Sequence, residues 1–190
     1  MWERIEAMEP TNLVWLKRDL RTQDHAPLQA AEKAWIPFRI IYVFEPSILE
    51  HPYSALRHQH FIYHSIHQIN QTLSSHGRGI EVFYGEALDV FQFLHQNIHI
   101  EKVFSHQETG VDLTWKRDQK INAFFSEEGI IWTEFQRDGI VRGIMNRNCW
   151  DKNWFVTMAQ PVIENTCTAT ELDPLDHPFQ LPADFRKELQ

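Results

Sequence analysis

Leu13-Val14-Trp15-Leu16-Lys17-Arg18-Asp19-Leu20-Arg21-Thr22-Gln23-Asp24 is the stretch on which the fold turns. An apolar run of strand composition ends abruptly in alternating basic and acidic residues. Asp24 then stands as a helix N-cap before Pro27 and Leu28 in an Ala-rich helix. Charges packed so densely at the carboxyl end of a strand need partners, either inside a site or across an interface. No glycine interrupts Lys17-Arg18-Asp19-Leu20-Arg21, so a G-x-G-x-x-G dinucleotide turn is excluded.

Outward from this stretch the pattern repeats. Leu13–Leu16, Phe38–Phe44, Ile80–Tyr84, Lys102–Ser105 and Ile130–Phe135 read as strands, with helix-period segments between them. In Arg57–Ser75 the residues Ile62, Ile66, Ile69 and Leu73 share one helical face, and Gly77 ends the helix. A shorter helix carries Leu88, Phe91 and Leu94 or His95. Another, from Asp112 to Glu128, buries Leu113, Ile121, Phe124 and Phe125 and stops at Gly129. The order predicts a doubly wound, Rossmann-like α/β domain with a five-stranded parallel sheet, whose ligand site lies outside the carboxyl ends of the strands. After about Gly143 the periodicity fades. From Pro161 to the C-terminus the composition is that of a linker.

The chain has 190 residues, enough to bury roughly 70% of the surface its unfolded form exposes. Its formal net charge is −8, against the clustered positive charge that nucleic-acid binding requires, so no direct DNA contact is expected from it. Cys149 and Cys167 make no disulfide framework, and Glu3, Glu6 and Glu9 oppose a signal peptide. With no run long enough to span a membrane, a soluble cytoplasmic protein is expected. The P-loop and G-x-S-x-G signatures are absent. His60, His64 and His67 fall at i, i+4 and i+7; without H-E-x-x-H or a carboxylate at a fitting offset the stripe reads first as solvated or half-buried, with zinc binding as the lesser alternative. Trp2, Trp15, Trp35, Trp115, Trp132, Trp150 and Trp154 read as packing anchors.

The opening stretch resembles the W-[FL]-[RK]-R-D-L-R-x-x-D signature of the DNA photolyase and cryptochrome family. Four further stretches resemble that family in order: FRIIYVFEPSIL at Phe38–Leu49, Ser54-Ala55-Leu56-Arg57, IEVFYGEA at Ile80–Ala87, and FSHQETGVDLTWKRD at Phe104–Asp118 with its arginine-aspartate pair. The similarity covers about residues 12–160. It implies an N-terminal extension over 1–11, a photolyase-type α/β domain over 12–145, and a C-terminal segment over 146–190 leading towards a helical FAD-binding domain that is not in this chain. In the family that second domain binds FAD and carries light-dependent pyrimidine-dimer repair or blue-light signalling, so no catalysis is expected from this part alone.

The resemblance also implies that this part seats or borders an antenna chromophore, which is a reduced folate, a deazaflavin or a flavin depending on the branch. By position in the matched motifs, Lys17 and Arg18, Phe44 and Glu45, Arg57, and Gln107 and Glu108 border that site. Arg57 matches an arginine of deazaflavin-type members, whereas Lys17 replaces a commoner arginine and loses its planar fork. Gln107-Glu108-Thr109-Gly110 departs from the deazaflavin pattern and Leu113-Thr114 from a folate-type Asn-Glu, which leaves chromophore identity open. Two other readings stand beside this one. The chain could be an interaction module that binds a helical FAD domain in trans through its tryptophan-rich Asn146–Trp154 segment, or an independent nucleotide-binding α/β domain.

Overall fold

The computed structural model describes residues 8–143, 145–167 and 172–190. Trp2, Glu3, Glu6, Thr168 and Thr170 lie outside the described residues. Five strands, β1 (Pro10–Leu16), β2 (Phe38–Phe44), β3 (Ile80–Tyr84), β4 (His99–His106) and β5 (Ile131–Phe135), form one sheet in the order β3-β2-β1-β4-β5. All four pairings are parallel. The described helices are α1 (Ala26–Lys33), α2 (Pro46–Leu49), α3 (Leu56–Ser74), α4 (Ala87–Asn97), α5 (Asp112–Glu127), α6 (Trp150–Met158) and α7 (Ala183–Leu189). This is the doubly wound architecture that the alternation of apolar strands and helix-period segments predicts.

Strand alternation divides the core between two faces. Leu13 and Trp15 of β1 point to the side covered by Val90, Phe91 and Leu94 of α4 and Ile121 and Phe125 of α5. Val14 and Leu16 point to the other side, under Leu28 and Ala31 of α1 and Ile66 and Leu73 of α3. Because β1 is central, its run is apolar without interruption, as a strand covered on both faces must be. Gly77 and Gly129 end α3 and α5 at φ 65° and 71°, a left-handed conformation that glycine adopts without a Cβ penalty.

Several local expectations change. The cap of α1 is His25, not Asp24: the His25 ring accepts from the Leu28 N–H at 3.1 Å, and Asp24 adopts φ 54° one residue earlier. On α5 the buried positions are Thr114, Asp118, Ile121 and Phe125, while Leu113 and Phe124 are only half-buried. The tryptophan-rich segment forms α6, which has no buried residue.

The described parts of the proline-rich tail lie packed against the domain. Ile163 and Asn165 pair with Asp24, Gln23 and His25, the Asp173 carbonyl accepts from Arg39, and the Phe179 carbonyl accepts from Tyr84 N at 2.9 Å. Phe185 of α7 sets its ring edge-on to Phe44, centroids 5.6 Å apart. The physical reason is the spacing of Leu175, Phe179, Leu181 and Phe185 among the prolines, which buries apolar surface along the exposed β3 edge.

Candidate functional site

The strand order reverses between β1 and β4, so the crevice expected to take a ligand lies outside their carboxyl ends. The chain's own charged side chains fill it. Lys17 follows β1 directly, and its ammonium donates to Asp118 Oδ2 on α5 at 3.0 Å and stands 3.8 Å from Glu134 of β5. Arg117 grips Glu45, at the end of β2, at 2.5 Å and Asp118 Oδ1 at 2.8 Å. Arg142 ties Glu134 at 2.8 Å and donates to the Glu108 carbonyl at 2.6 Å. Arg18 faces the Glu108 carboxylate at 3.3 Å.

Burial sets the electrostatics. Desolvation lowers the Lys17 ammonium from its ordinary value, although Asp118 opposes this. Burial pushes the Glu45 carboxyl up in spite of the Arg117 guanidinium. Burial would lower Arg117, yet Glu45 and Asp118 together hold it above the ordinary range. The Lys17 ammonium also stands 4.3 Å from the Trp15 ring centroid and 4.9 Å from that of Trp132, and Arg117 stacks 4.9 Å from Trp15. Cations against both indoles oppose removal of an electron from either, which agrees with the reading of Trp15 and Trp132 as packing residues. Trp35 and Trp115 are exposed instead.

A second buried cluster adjoins this network. Asp19 Oδ2 contacts His25 Nε2 at 2.7 Å and His106 Nδ1 at 2.6 Å, while Asp19 Oδ1 accepts from Lys17 N at 2.8 Å. All three residues are buried, and their donor set is one that could hold a transition-metal ion. The Leu28 N–H decides otherwise. Because His25 Nδ1 accepts that bond, Nε2 must carry the ring proton and donate to Asp19, leaving no lone pair on it for an ion. Contacts of 2.6 and 2.7 Å are hydrogen-bond distances, so the cluster is a hydrogen-bonded histidine–aspartate–histidine triad.

Of the residues expected on the rim, Lys17 and Glu45 are joined through Asp118 and Arg117, and Arg18 and Glu108 pair directly. Lys17, Glu45 and Glu108 are buried. Phe44 lies under Phe185, on the α3 side of the sheet. Gln107 is half-buried, its N–H bonded to the Phe135 carbonyl. Arg57 is exposed at the start of α3 and shares no ion pair with the others. Asp19, His25, His106, Asp118 and Arg142 had no place among the expected rim residues, nor had Arg117. One signal did exist for Asp118: it stands at i−3 from Ile121 and i−7 from Phe125, which puts a carboxylate on the apolar face of α5.

Enclosed space lies elsewhere. A cavity of about 10 Å³ sits between α1, α3 and the sheet, and a cleft of about 660 Å³ opens at the amino ends of β2 and β3. The latter is lined by Arg39, Gly77, Arg78, Glu81 and His177, at the end of the sheet opposite to the expected rim.

Known proteins share this fold. A photolyase of Vibrio cholerae is 28% identical over 130 residues, covering 65% of this chain and 27% of its own length. A cryptochrome DASH of Synechocystis is 25% identical over 109 residues, covering 55% of this chain and 22% of its own. The chain thus spans about a quarter of the curated relatives it matches. Among solved structures, a Synechocystis cryptochrome superposes with a TM-score of 0.75 at 17% identity, over 94% of this chain and 40% of that one. An archaeal photolyase from Sulfolobus tokodaii, described as holding two FAD molecules with the implication of a novel light-harvesting cofactor, superposes with a TM-score of 0.73 at 18% identity, over 94% of this chain and 41% of that one. The family model for DNA photolyase matches residues 12–147, and by that match over most of its length the chain belongs to the DNA photolyase family.

Proposed function

We propose that this chain serves as the N-terminal α/β domain of a photolyase- or cryptochrome-like flavoprotein, docking a helical FAD-binding domain and lending its strand-end rim as one wall of an antenna-chromophore site. The observation that carries this reading is α6. Trp150, Trp154, Phe155, Val156 and Met158 are all exposed on a nine-residue helix with no buried residue. An apolar patch of that kind marks an interaction surface.

The rim supports a wall and not a closed pocket. Lys17, Glu45, Arg117 and Asp118 neutralise one another, and Phe44 is covered by Phe185. Arg18 and Arg57 remain exposed enough to grip a polar or anionic tail. A reduced folate, a deazaflavin or a flavin would lie against that surface, the ring enclosed by the companion domain; FAD itself would be held by that domain. The FAD pair in the Sulfolobus relative supports a flavin among these candidates. The reading as an independent nucleotide-binding domain finds less support. Asp19 accepts from Lys17 N through its carboxylate and from Arg21 N through its carbonyl, so two of the amides after β1 that could meet a phosphate are taken.

Two measurements test the proposal. Mixed with a helical FAD-binding domain of a photolyase from the same organism, the chain is expected to co-elute in size exclusion, and Phe155→Glu to abolish this; separate elution of the unaltered chain overturns the docking role. A Cβ at Gly139 would collide with the Trp154 indole. Gly139→Ala is therefore expected to displace α6 and weaken co-elution, while moving the melting midpoint by less than about 4 °C. The assembled pair is then titrated with methenyltetrahydrofolate, 8-hydroxydeazaflavin and FMN, followed by visible absorbance. Arg18→Ala and Arg57→Ala are each expected to weaken the chromophore that binds by about fivefold to tenfold. Absence of any absorbance change overturns the antenna role.

A further inference from the structure

We propose that His60 and His64 on α3 form a two-histidine clamp for one late first-row divalent cation, of the zinc, nickel or copper type. The two residues are one helical turn apart, and their rings already face each other with centroids 6.2 Å apart. They point away from the apolar side of α3, where Ile66 and Leu73 are buried. His64 is exposed and His60 half-buried, and neither imidazole has a hydrogen-bond partner among the described residues. Both rings therefore offer a nitrogen lone pair, as the buried His25 ring, with both nitrogens engaged, does not.

The distance is close to what coordination needs. With Zn–N bonds of about 2.0–2.1 Å, two imidazoles on a tetrahedral ion hold their centroids roughly 5 Å apart. A closure of about 1 Å by side-chain rotation on a rigid helix supplies this. His67 continues the stripe but contacts Gln71 Nε2 at 3.1 Å and stands two turns from His60, too far for one ion to take all three.

The surroundings select the class of ion. Residues 51–80 contain no aspartate or glutamate, so the helix offers nitrogen ligands and no oxygen cage. Imidazole pairs suit copper, nickel and zinc, whereas magnesium and calcium require carboxylate or carbonyl oxygens. The remaining coordination positions face solvent, and water fills them.

Tag-free protein titrated with zinc chloride alone in a calorimeter tests the clamp. One saturable zinc per chain is expected, with no heat from calcium. His60→Gln and His64→Gln are each expected to weaken binding by about tenfold or more, and His67→Gln by less than about twofold. Circular dichroism of the three surface variants should match that of the parent. Side-chain ¹H–¹⁵N spectra should shift at His60 and His64 on zinc addition and stay unmoved at His25 and His106. No saturable binding, binding that survives both His60→Gln and His64→Gln, or shifts centred on His25 and His106 would overturn the clamp.

Discussion

Asp118→Ala is expected to lower the unfolding free energy by about 3–5 kcal/mol, the cost of leaving buried charge without its partner. For a chain of this length the melting midpoint should fall by roughly 10 °C. The carboxylate serves Lys17 at 3.0 Å and Arg117 at 2.8 Å, and Arg142 stands 3.8 Å away. Removing it leaves an ammonium whose side chain is only 4% exposed between two indoles with no carboxylate nearer than Glu134 at 3.8 Å. Lys17→Met breaks the same ion pair from the other side and is expected to cost less than about 1 kcal/mol. Asp118 keeps Arg117, and the methionine chain fills the space between Trp15 and Trp132. Urea unfolding of both variants checks this asymmetry; equal losses would mean that the pair itself, and not the stranded charge, sets the energy.

Asp19→Ala is expected to cost a similar amount, about 3–5 kcal/mol, because His25 Nε2–H, His106 Nδ1–H and Lys17 N–H all lose their acceptor in a buried site. Asp19→Asn should recover less than half of the loss, since one carboxamide oxygen replaces two carboxylate oxygens and its NH₂ faces donors. The same cluster sets an acid dependence. Burial lowers His106 from its ordinary 6.5, although Asp19 opposes this, so the fold favours the neutral ring. That contribution is complete above 6.5 and fades as pH falls through the folded value. Burial alone would raise Asp19, but the His106 and His25 bonds hold it well below 3.8, and its contribution is present above 3.8 and lost at lower pH. Glu45, raised above 4.5, acts in the opposite sense and is relieved by acid. Stability measured from pH 7 to pH 5 should decline in the parent and be flatter in His106→Asn; parallel profiles would exclude His106 as the source.

The sheet was legible in the sequence because its determinants are local. Phe38–Phe44 and Ile80–Tyr84 carry β-branched and aromatic residues in short runs, and Gly77 and Gly129 mark helix ends that need positive φ. The strand-one motif placed dense charge at the carboxyl end of β1, and the sheet order then set that end beside β4. Their partners could not be read there, since Lys17 and Asp118 are separated by 101 positions and Asp19 and His106 by 87. The helix α6 escaped pattern reading for a physical reason: it buries no face, so it has no apolar period to display. The tail misled in the other direction. Its prolines read as linker, while Phe179 and Phe185 find partners in Phe83, Tyr84 and Phe44 only once the sheet exists.

By itself, then, the sequence determined the class of fold, the succession of its five strands with the main helices between them, and the family motif, all of which depend on residues close together in the chain. The tertiary structure decided which charges are buried and which stay at the surface. Distance along the chain says nothing about desolvation, and it is burial beside a specific counter-charge that turns Lys17 and Glu45 into internal supports while leaving Arg18 and Arg57 at the surface.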